Sequence, residues 1–192
     1  MKIRILFAFI ASFAAQFDYA QELMTVRIHH GNEISNVNFS DSILTLKRDT
    51  FYIEFSVLEY EGMFVQASFK DDFFKIPQKK ELPDFEMTAF KVMSEEENNV
   101  DQDLIVAEDG FCYWFSDTTK GWYRTDIPIT MIEGGFNARY TVRQVYNRET
   151  DTYTPLGELT EPLYLIFFLA KVNHDSHLTK EVVRKKICLK FE

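Results

Sequence analysis

Four histidines and two cysteines are the side chains of this chain best suited to metal binding or catalysis. The histidines form two close pairs, His29-His30 and His174-x-x-His177. Adjacent residues of a strand point to opposite faces, so His29 and His30 cannot readily ligate one metal ion. His174 and His177, with Asp175 between them, carry the imidazole and carboxylate groups that Zn²⁺ prefers. No second ligand cluster in the sequence completes a set, so we predict a polar loop here and no metal or cofactor site.

The two cysteines, Cys112 and Cys188, leave two alternatives open. A disulfide between them closes a loop of about 77 residues and stabilises the fold by roughly 4–5 kcal/mol on the chain-entropy model. Alternation places Cys188 on the polar face of the last strand with Arg184 and Lys186, so a bridge requires Cys112 on the same face of a neighbouring strand. The other alternative is two separate thiols. A catalytic cysteine is disfavoured because no histidine lies in a recognisable partner context.

The acidic residues and the short catalytic motifs assign no active site. Asp101-Gln102-Asp103 lacks the glycine and glutamate that a calcium-binding EF-hand loop requires. The sequence contains no G-x-S-x-G, H-E-x-x-H, phosphate-binding loop or dinucleotide-binding glycine motif. Asn38-Phe39-Ser40 matches the N-glycosylation sequon, which has meaning only in a eukaryotic source. We therefore predict no catalytic residue, and a binding protein is favoured over an enzyme.

Aromatic side chains are the remaining candidates for binding. The chain has 19 Phe, 9 Tyr and 2 Trp, and some of them fall on the strand face opposite the predicted core. Tyr52 and Phe64 are two such residues. They line a groove for a carbohydrate or a partner protein if that face is open, or pack beneath loops or a second layer if it is covered.

Composition and charge exclude several classes of protein. Hydrophobic residues make up 46% of the chain and charged residues 27%, which is typical of a folded globular protein and excludes disorder. The formal net charge is −9, and phosphate binding needs clustered lysine and arginine. Nucleic acids and anionic membranes are therefore disfavoured as partners, which leaves proteins or neutral glycans.

Residues 1–20 have the features of a secretory signal peptide. Lys2 and Arg4 precede the uncharged, mostly apolar stretch Ile5–Ala15, which is too short to cross a bilayer as a helix. Cleavage is predicted after Ala14 or after Ala20, and the alternative is a buried N-terminal helix. No later apolar run reaches membrane length. We therefore expect a secreted or periplasmic protein that is not an integral membrane protein.

The elements that position these residues are predicted to be strands. Val26 and Ile28 alternate with polar residues in an early predicted strand, and Leu44 and Leu46 begin another. Phe51, Ile53, Phe55 and Val57 share one face of the next strand, and alternation resumes from Met63 after a Glu61-Gly62 turn, so residues 51–69 are predicted to form a hairpin.

The later sequence continues the same pattern. A long strand follows from Phe136 to Asn147, and its alternation slips between Val142 and Val145, which predicts a bulge. Residues 147–162 are polar and predicted to be a loop, before a buried strand at 163–172 and a last strand that ends near Phe191.

About ten strands and no convincing amphipathic helix predict an all-β fold, an antiparallel β-sandwich of immunoglobulin/fibronectin-like or jelly-roll-like type. We expect one sandwich domain over residues 21–192. The alternative is two small sandwiches, 21–93 and 104–192, joined through the acidic stretch 94–103.

One segment resembles a known family feature. With Gly134-Gly135 upstream and Tyr140 alternating with Val142, residues 136–147 resemble the F strand of an immunoglobulin or fibronectin type III sandwich, without the Cys…Trp…Cys spacing of true immunoglobulin domains. The resemblance implies a sandwich.

The function we expect is an extracytoplasmic binding or interaction module. The alternatives are a lipocalin-like small-ligand carrier, for which the family's G-x-W motif near the N-terminus is missing, and a hydrolase with a site built from loops.

Overall fold

The computed structural model describes residues 23–38, 42–60, 62–75, 103–108, 112–115, 129–173 and 178–192. Most of these residues lie in strands, and two short 3-10 helices occupy Asp71–Lys75 and Leu156–Glu158. The strands are β1 (Met24–His30), β2 (Glu33–Asn36), β3 (Ser42–Leu46), β4 (Phe51–Leu58), β5 (Gly62–Ser68), β6 (Leu104–Ala107), β7 (Cys112–Phe115), β8 (Ile129–Ile132), β9 (Gly135–Val142), β10 (Gln144–Asn147), β11 (Thr152–Pro155), β12 (Leu163–Asn173) and β13 (Leu178–Phe191).

The strands form two sheets. The five-stranded sheet has the order β2-β1-β4-β9-β8 and is antiparallel throughout. The eight-stranded sheet has the order β11-β10-β6-β5-β12-β13-β3, and β7 also pairs with β5. Its parallel pairs are β10 with β6, β6 with β5, and β13 with β3. The predicted all-β antiparallel sandwich is confirmed: the described strands form two sheets in which antiparallel pairing dominates.

Strands from both sides of residues 94–103 pair within each sheet. In the five-stranded sheet β4 pairs with β9, and in the eight-stranded sheet β5 pairs with β12. Each sheet therefore depends on contacts between the two parts of the chain.

The core lies between the sheets because alternate side chains of their strands point inward. On β4 the buried positions are every second residue from Phe51 to Val57, as the sequence predicts. Phe55 meets Phe136 of β9 edge to face, with ring centroids 5.9 Å apart. Burial of such rings supplies much of the hydrophobic stabilisation of a sandwich. Other fully buried residues are Met24, Ile28, Ile53, Met63, Leu163 and Phe167.

The predicted hairpin over residues 51–69 is wrong, because β4 and β5 belong to different sheets. Both edges of β4 are already paired, one with β1 and the other with β9. The chain therefore crosses from one sheet to the other after Leu58, where Glu59 has a φ of 62°. The Glu59 N–H donates to the carbonyl oxygen of Gly134 at 2.8 Å, which holds this crossing against the turn between β8 and β9.

The predicted bulge between Val142 and Val145 is also a crossing between sheets. β9 ends in the five-stranded sheet at Val142 and β10 begins in the eight-stranded sheet at Gln144, while both valines remain fully buried. Arg143 lies at the crossing, where its N–H donates to the Asp103 carbonyl oxygen at 2.8 Å. The alternation slips because the core lies on the other side of the chain once the strand has changed sheets.

The segment predicted as a loop over 147–162 contains a strand. β10 and β11 form an antiparallel hairpin in which Tyr146 lies opposite Tyr153, with ring centroids 4.5 Å apart. Asp151 closes the turn with a φ of 53° and accepts a hydrogen bond from the Tyr146 hydroxyl at 2.9 Å. The sequence did not predict this strand because its residues are mostly polar and exposed, so they show no apolar alternation.

Candidate interaction surface on the five-stranded sheet

The outer face of the five-stranded sheet holds a cross-strand group of charged and aromatic side chains. Register places Arg27 of β1, Glu54 of β4 and Arg139 of β9 side by side in one row. The next row joins His29 to Tyr52. Residues directly opposite one another on antiparallel strands are close enough for their side chains to interact. We call Arg27, His29, Tyr52, Glu54 and Arg139 the charged face.

Both carboxylate oxygens of Glu54 are directed towards β1. Its Oε1 accepts a hydrogen bond from Nη1 of Arg27 at 3.2 Å. Its Oε2 lies 3.4 Å from Nε2 of His29, although the geometry of that contact does not make a hydrogen bond. Glu54 is therefore engaged on the side away from Arg139.

Arg139 instead lies against an aromatic ring. Its Cζ atom is 3.9 Å from the centroid of Tyr52, within the range of a cation–π interaction. Among the described residues, no carboxylate forms an ion pair with Arg139, and the side chain is exposed. The arrangement therefore presents a stacked guanidinium at the centre of the face.

The local charge of this face differs from that of the whole chain. Outward-facing positions of β1, β4 and β9 hold two arginines and one glutamate, whereas the chain has a formal charge of −9. The remaining outward positions there are mostly neutral and polar, such as Thr25, Ser56, Asn137 and Thr141. Ser56 and Asn137 bond to each other through their side chains.

Apolar side chains flank the charged face at both edges of the sheet. Ile34 of β2 pairs with His29 and is 62% exposed, while Ile132 of β8 pairs with Gly135 and is 36% exposed. Register places both isoleucines on the outer side, with the charged face between them.

The outer side of the eight-stranded sheet is different where Phe64 and Phe168 pair, because both of these rings are buried. Phe64 is only 2% exposed and stacks on its cross-strand partner Phe168, with ring centroids 4.9 Å apart. Ile166, also outward from the core, is buried too. Of the two aromatic candidates, Tyr52 is therefore partly accessible, and Phe64 has the covered, packing environment that the sequence left as an alternative.

The cysteines lie on strands that are not neighbours. Cys112 of β7 pairs with Val65 of β5, whereas Cys188 of β13 pairs with Tyr164 of β12. Because β5 and β12 lie between those strands, the two backbones are roughly 14 Å apart, too far for a disulfide. Cys188 is a buried free thiol, and burial raises its pKa. Of the two alternatives, the structure supports separate thiols.

Burial also raises the pKa of Tyr164, which lies directly opposite Cys188 in the register of β12 and β13. A thiol in such a site is a poor nucleophile, since the thiolate is the reactive form.

Most of the side chains that the sequence offered as candidates for metal binding lie outside the part of the chain that the structure describes. His174, Asp175, His177 and the Asp101-Gln102 part of the acidic stretch lie outside the described residues. Within the described ranges, no group of three or more histidine, cysteine, aspartate or glutamate residues is placed to hold a metal ion.

A buried carboxylate that sequence analysis did not single out joins the ends of β5 and β6. Glu108, with a φ of 57°, accepts hydrogen bonds from the Ser68 hydroxyl at 3.0 Å and from the Phe69 N–H at 2.7 Å. Lys70 Nζ lies 3.6 Å from Glu108 and 2.7 Å from Glu149. Because Ser68 is buried, this serine–carboxylate contact ties strand ends together and does not present a nucleophile to a substrate.

Comparison of the chain with protein families, with curated protein sequences and with solved structures finds no match. In the part of the chain that the structure describes, no helix is long and apolar enough to span a membrane. Function is therefore inferred from the surface of the molecule.

Proposed function

We propose that the protein is an extracytoplasmic interaction module that binds a partner protein through the charged face of its five-stranded sheet. The observation that carries this proposal is the Arg139 guanidinium stacked on Tyr52 and exposed, with no carboxylate partner among the described residues. Arginine and tyrosine are enriched at protein interfaces and supply most of their strongest contacts.

The stacked pair favours a protein over a neutral glycan. A sugar usually binds an aromatic ring by lying on its face, and the guanidinium of Arg139 already lies over the face of Tyr52. Ile34 and Ile132 add exposed apolar area at opposite edges of the same face. Exposed apolar side chains near an arginine and a tyrosine agree with the composition of protein interfaces, which are enriched in arginine and aromatic residues.

The extracytoplasmic location rests on residues 1–20, where Lys2 and Arg4 precede an apolar stretch of signal-peptide length. Intact mass and N-terminal sequencing of the protein from its native source test this part. A mature chain that begins at Ala15 or Gln21 supports the proposal, and an intact Met1 contradicts it.

Site-specific photo-crosslinking tests the interaction surface. A photoreactive amino acid replaces Thr141, which lies beside Tyr52 in its cross-strand row, and in a control protein it replaces Thr45, an exposed residue of β3 in the other sheet. We expect a discrete crosslinked protein from position 141 that is absent from position 45. Equal products at both positions, or none at position 141, would overturn the assignment of this face.

A further inference from the structure

We propose that Arg139 anchors a carboxylate of an acidic segment in the partner protein. This inference rests on the proposed function and specifies the chemistry of the partner. It assigns different roles to the two arginines of the charged face, because Arg27 is engaged by Glu54 and Arg139 is not.

The cross-strand row explains why Arg139 remains available. Glu54 lies between Arg27 and Arg139 in register, so a simple alternation of charge would satisfy both arginines. The carboxylate turns towards β1, where Arg27 and His29 approach its two oxygens at 3.2 and 3.4 Å. The charge of Arg139 is therefore left for a group from outside the described residues.

Stacking also orients the guanidinium for carboxylate recognition. When an arginine stacks on an aromatic ring, the flat face of its guanidinium contacts the ring. The N–H groups lie around the edge of the guanidinium and stay available for hydrogen bonds. Those N–H groups form a fork that matches the two oxygens of a carboxylate. Tyr52 thus acts as a positioning residue that reduces the conformational freedom Arg139 would lose on binding.

The overall charge of the chain limits the kind of acidic partner. A long polyanion such as a nucleic acid approaches a chain with a formal charge of −9 and is repelled. A short acidic segment contacts only the charged face, and repulsion from more distant carboxylates is screened beyond about 8–10 Å at physiological salt. Exposed Ile34 and Ile132 then contact apolar residues that flank the acidic segment.

Binding of defined peptides to the full chain tests this inference. The probe is a fluorescently labelled peptide of alternating glutamate and threonine, and the matched control peptide has glutamine in place of glutamate. Anisotropy titrations are made at low and physiological salt. We expect the glutamate peptide to bind, the glutamine peptide to bind at least tenfold more weakly, and affinity to fall as salt is raised.

Two matched variants distinguish the loss of a charge at the charged face from the loss of a charge elsewhere on the chain. Arg139→Gln and Arg48→Gln remove the same charge, but Arg48 is an exposed residue next to β3 of the other sheet. We expect Arg139→Gln to weaken peptide binding roughly tenfold or more, and Arg48→Gln to leave it within about twofold. Arg139→Lys should restore only part of the affinity, because lysine keeps the charge and loses the planar fork.

Equal losses in the two glutamine variants would overturn the inference, as would equal binding of the two peptides or no binding of the glutamate peptide at low salt. Preferred binding of a single-stranded oligonucleotide would overturn it in favour of a nucleic acid. A crosslink from position 141 that persists in Arg139→Gln would leave the proposed function intact and refute only the role of Arg139. Thermal unfolding of each variant verifies that the fold is retained.

Discussion

The hydroxyl group of Tyr140, on β9 of the five-stranded sheet, donates a hydrogen bond to the carbonyl oxygen of Leu104, on β6 of the eight-stranded sheet, at 2.5 Å. Tyr140 is 3% exposed, so the bond lies inside the core and joins the two sheets. The sequence identified Tyr140 as a core tyrosine, and the structure shows where its polar end is satisfied. A buried tyrosine hydroxyl without a partner would cost free energy on folding.

Replacement of Tyr140 by phenylalanine should therefore destabilise the protein. The ring still fills its space, but the Leu104 carbonyl loses a buried donor, and we expect the free energy of unfolding to fall by about 1–3 kcal/mol. Urea denaturation measures this change. Tyr146→Phe is the control, since it removes a hydroxyl that bonds to Asp151 in a more accessible turn. A loss in Tyr140→Phe no larger than in Tyr146→Phe would show that the bond between the sheets contributes little.

Gly135→Ala should destabilise the pairing of β4 with β9. A Cβ atom at position 135 would overlap the carbonyl oxygen of Val57, a backbone atom that cannot move without disturbing the strand. Strain of this kind costs about 1–3 kcal/mol. Gly157→Ala is the matched control because a Cβ there meets no atom within 4 Å. Similar denaturation midpoints for the two variants would contradict the close approach at Gly135.

The two outward-facing aromatic candidates should respond differently to truncation. Phe64→Ala removes a buried ring from a stacked pair, and we expect a loss of about 3–5 kcal/mol. Tyr52→Ala removes a partly exposed ring and its contact with Arg139, and should cost about 1 kcal/mol. Thermal and urea unfolding compare the two. A larger loss in Tyr52→Ala would mean that the charged face supports the fold.

The cysteines should be present as thiols in the native protein. We expect alkylation in denaturant without reductant to modify both Cys112 and Cys188, as measured by intact mass. Without denaturant, Cys188 should react slowly, since burial shields it and raises its pKa. An unalkylated mass two hydrogens lower than that of the reduced chain would reveal a disulfide and contradict the strand order.

Lys185 should make stability depend on pH. It is 4% exposed on the inward-facing side of β13, and burial lowers its pKa below 10.5. Between this lowered value and 10.5 the unfolded chain binds more protons than the folded one, so the free energy of unfolding rises with pH through that window. Lys185→Met should abolish the rise, as seen in urea midpoints measured from neutral to alkaline pH.

The exposed residue Lys190 of the same strand provides the charge control, as Lys190→Met. An unchanged pH slope in Lys185→Met would rule out Lys185 as its source. The hydrogen bond to Glu149 raises the pKa of Lys70 above 10.5, so the stabilisation from Lys70 is lost only above that value and outside this window.

Patterns along the chain determine which residues form strands, but not how the strands pair. Alternation from Phe51 to Val57 correctly predicts β4, because one side of a strand in a sandwich must be apolar. The same alternation in β5 suggested a hairpin with β4. A period of two does not indicate which strand lies alongside. In the structure β1 and β9 pair with the two edges of β4, so neither edge is available to β5.

For the charged face too, the sequence predicts which side of a strand a residue occupies, but not what surrounds it. Alternation alone places Tyr52 and Phe64 outward, and only the tertiary packing decides that Phe64 is covered and Tyr52 is not. Arg27 and Arg139 are remote in sequence and carry no motif, so no local signal marks them. Strand order brings them to either side of Glu54.

The sequence by itself determined the all-β class, the inward and outward sides of strands such as β4 and the acidic character of the chain, because these depend on residue type and local period. Tertiary structure alone decided the crossings at Glu59 and Arg143, the separation of the cysteines and the pairing of Arg139 with Tyr52. These features depend on contacts between residues distant in sequence, and such contacts form only when the strands compete for partners and the two sheets close over a common core.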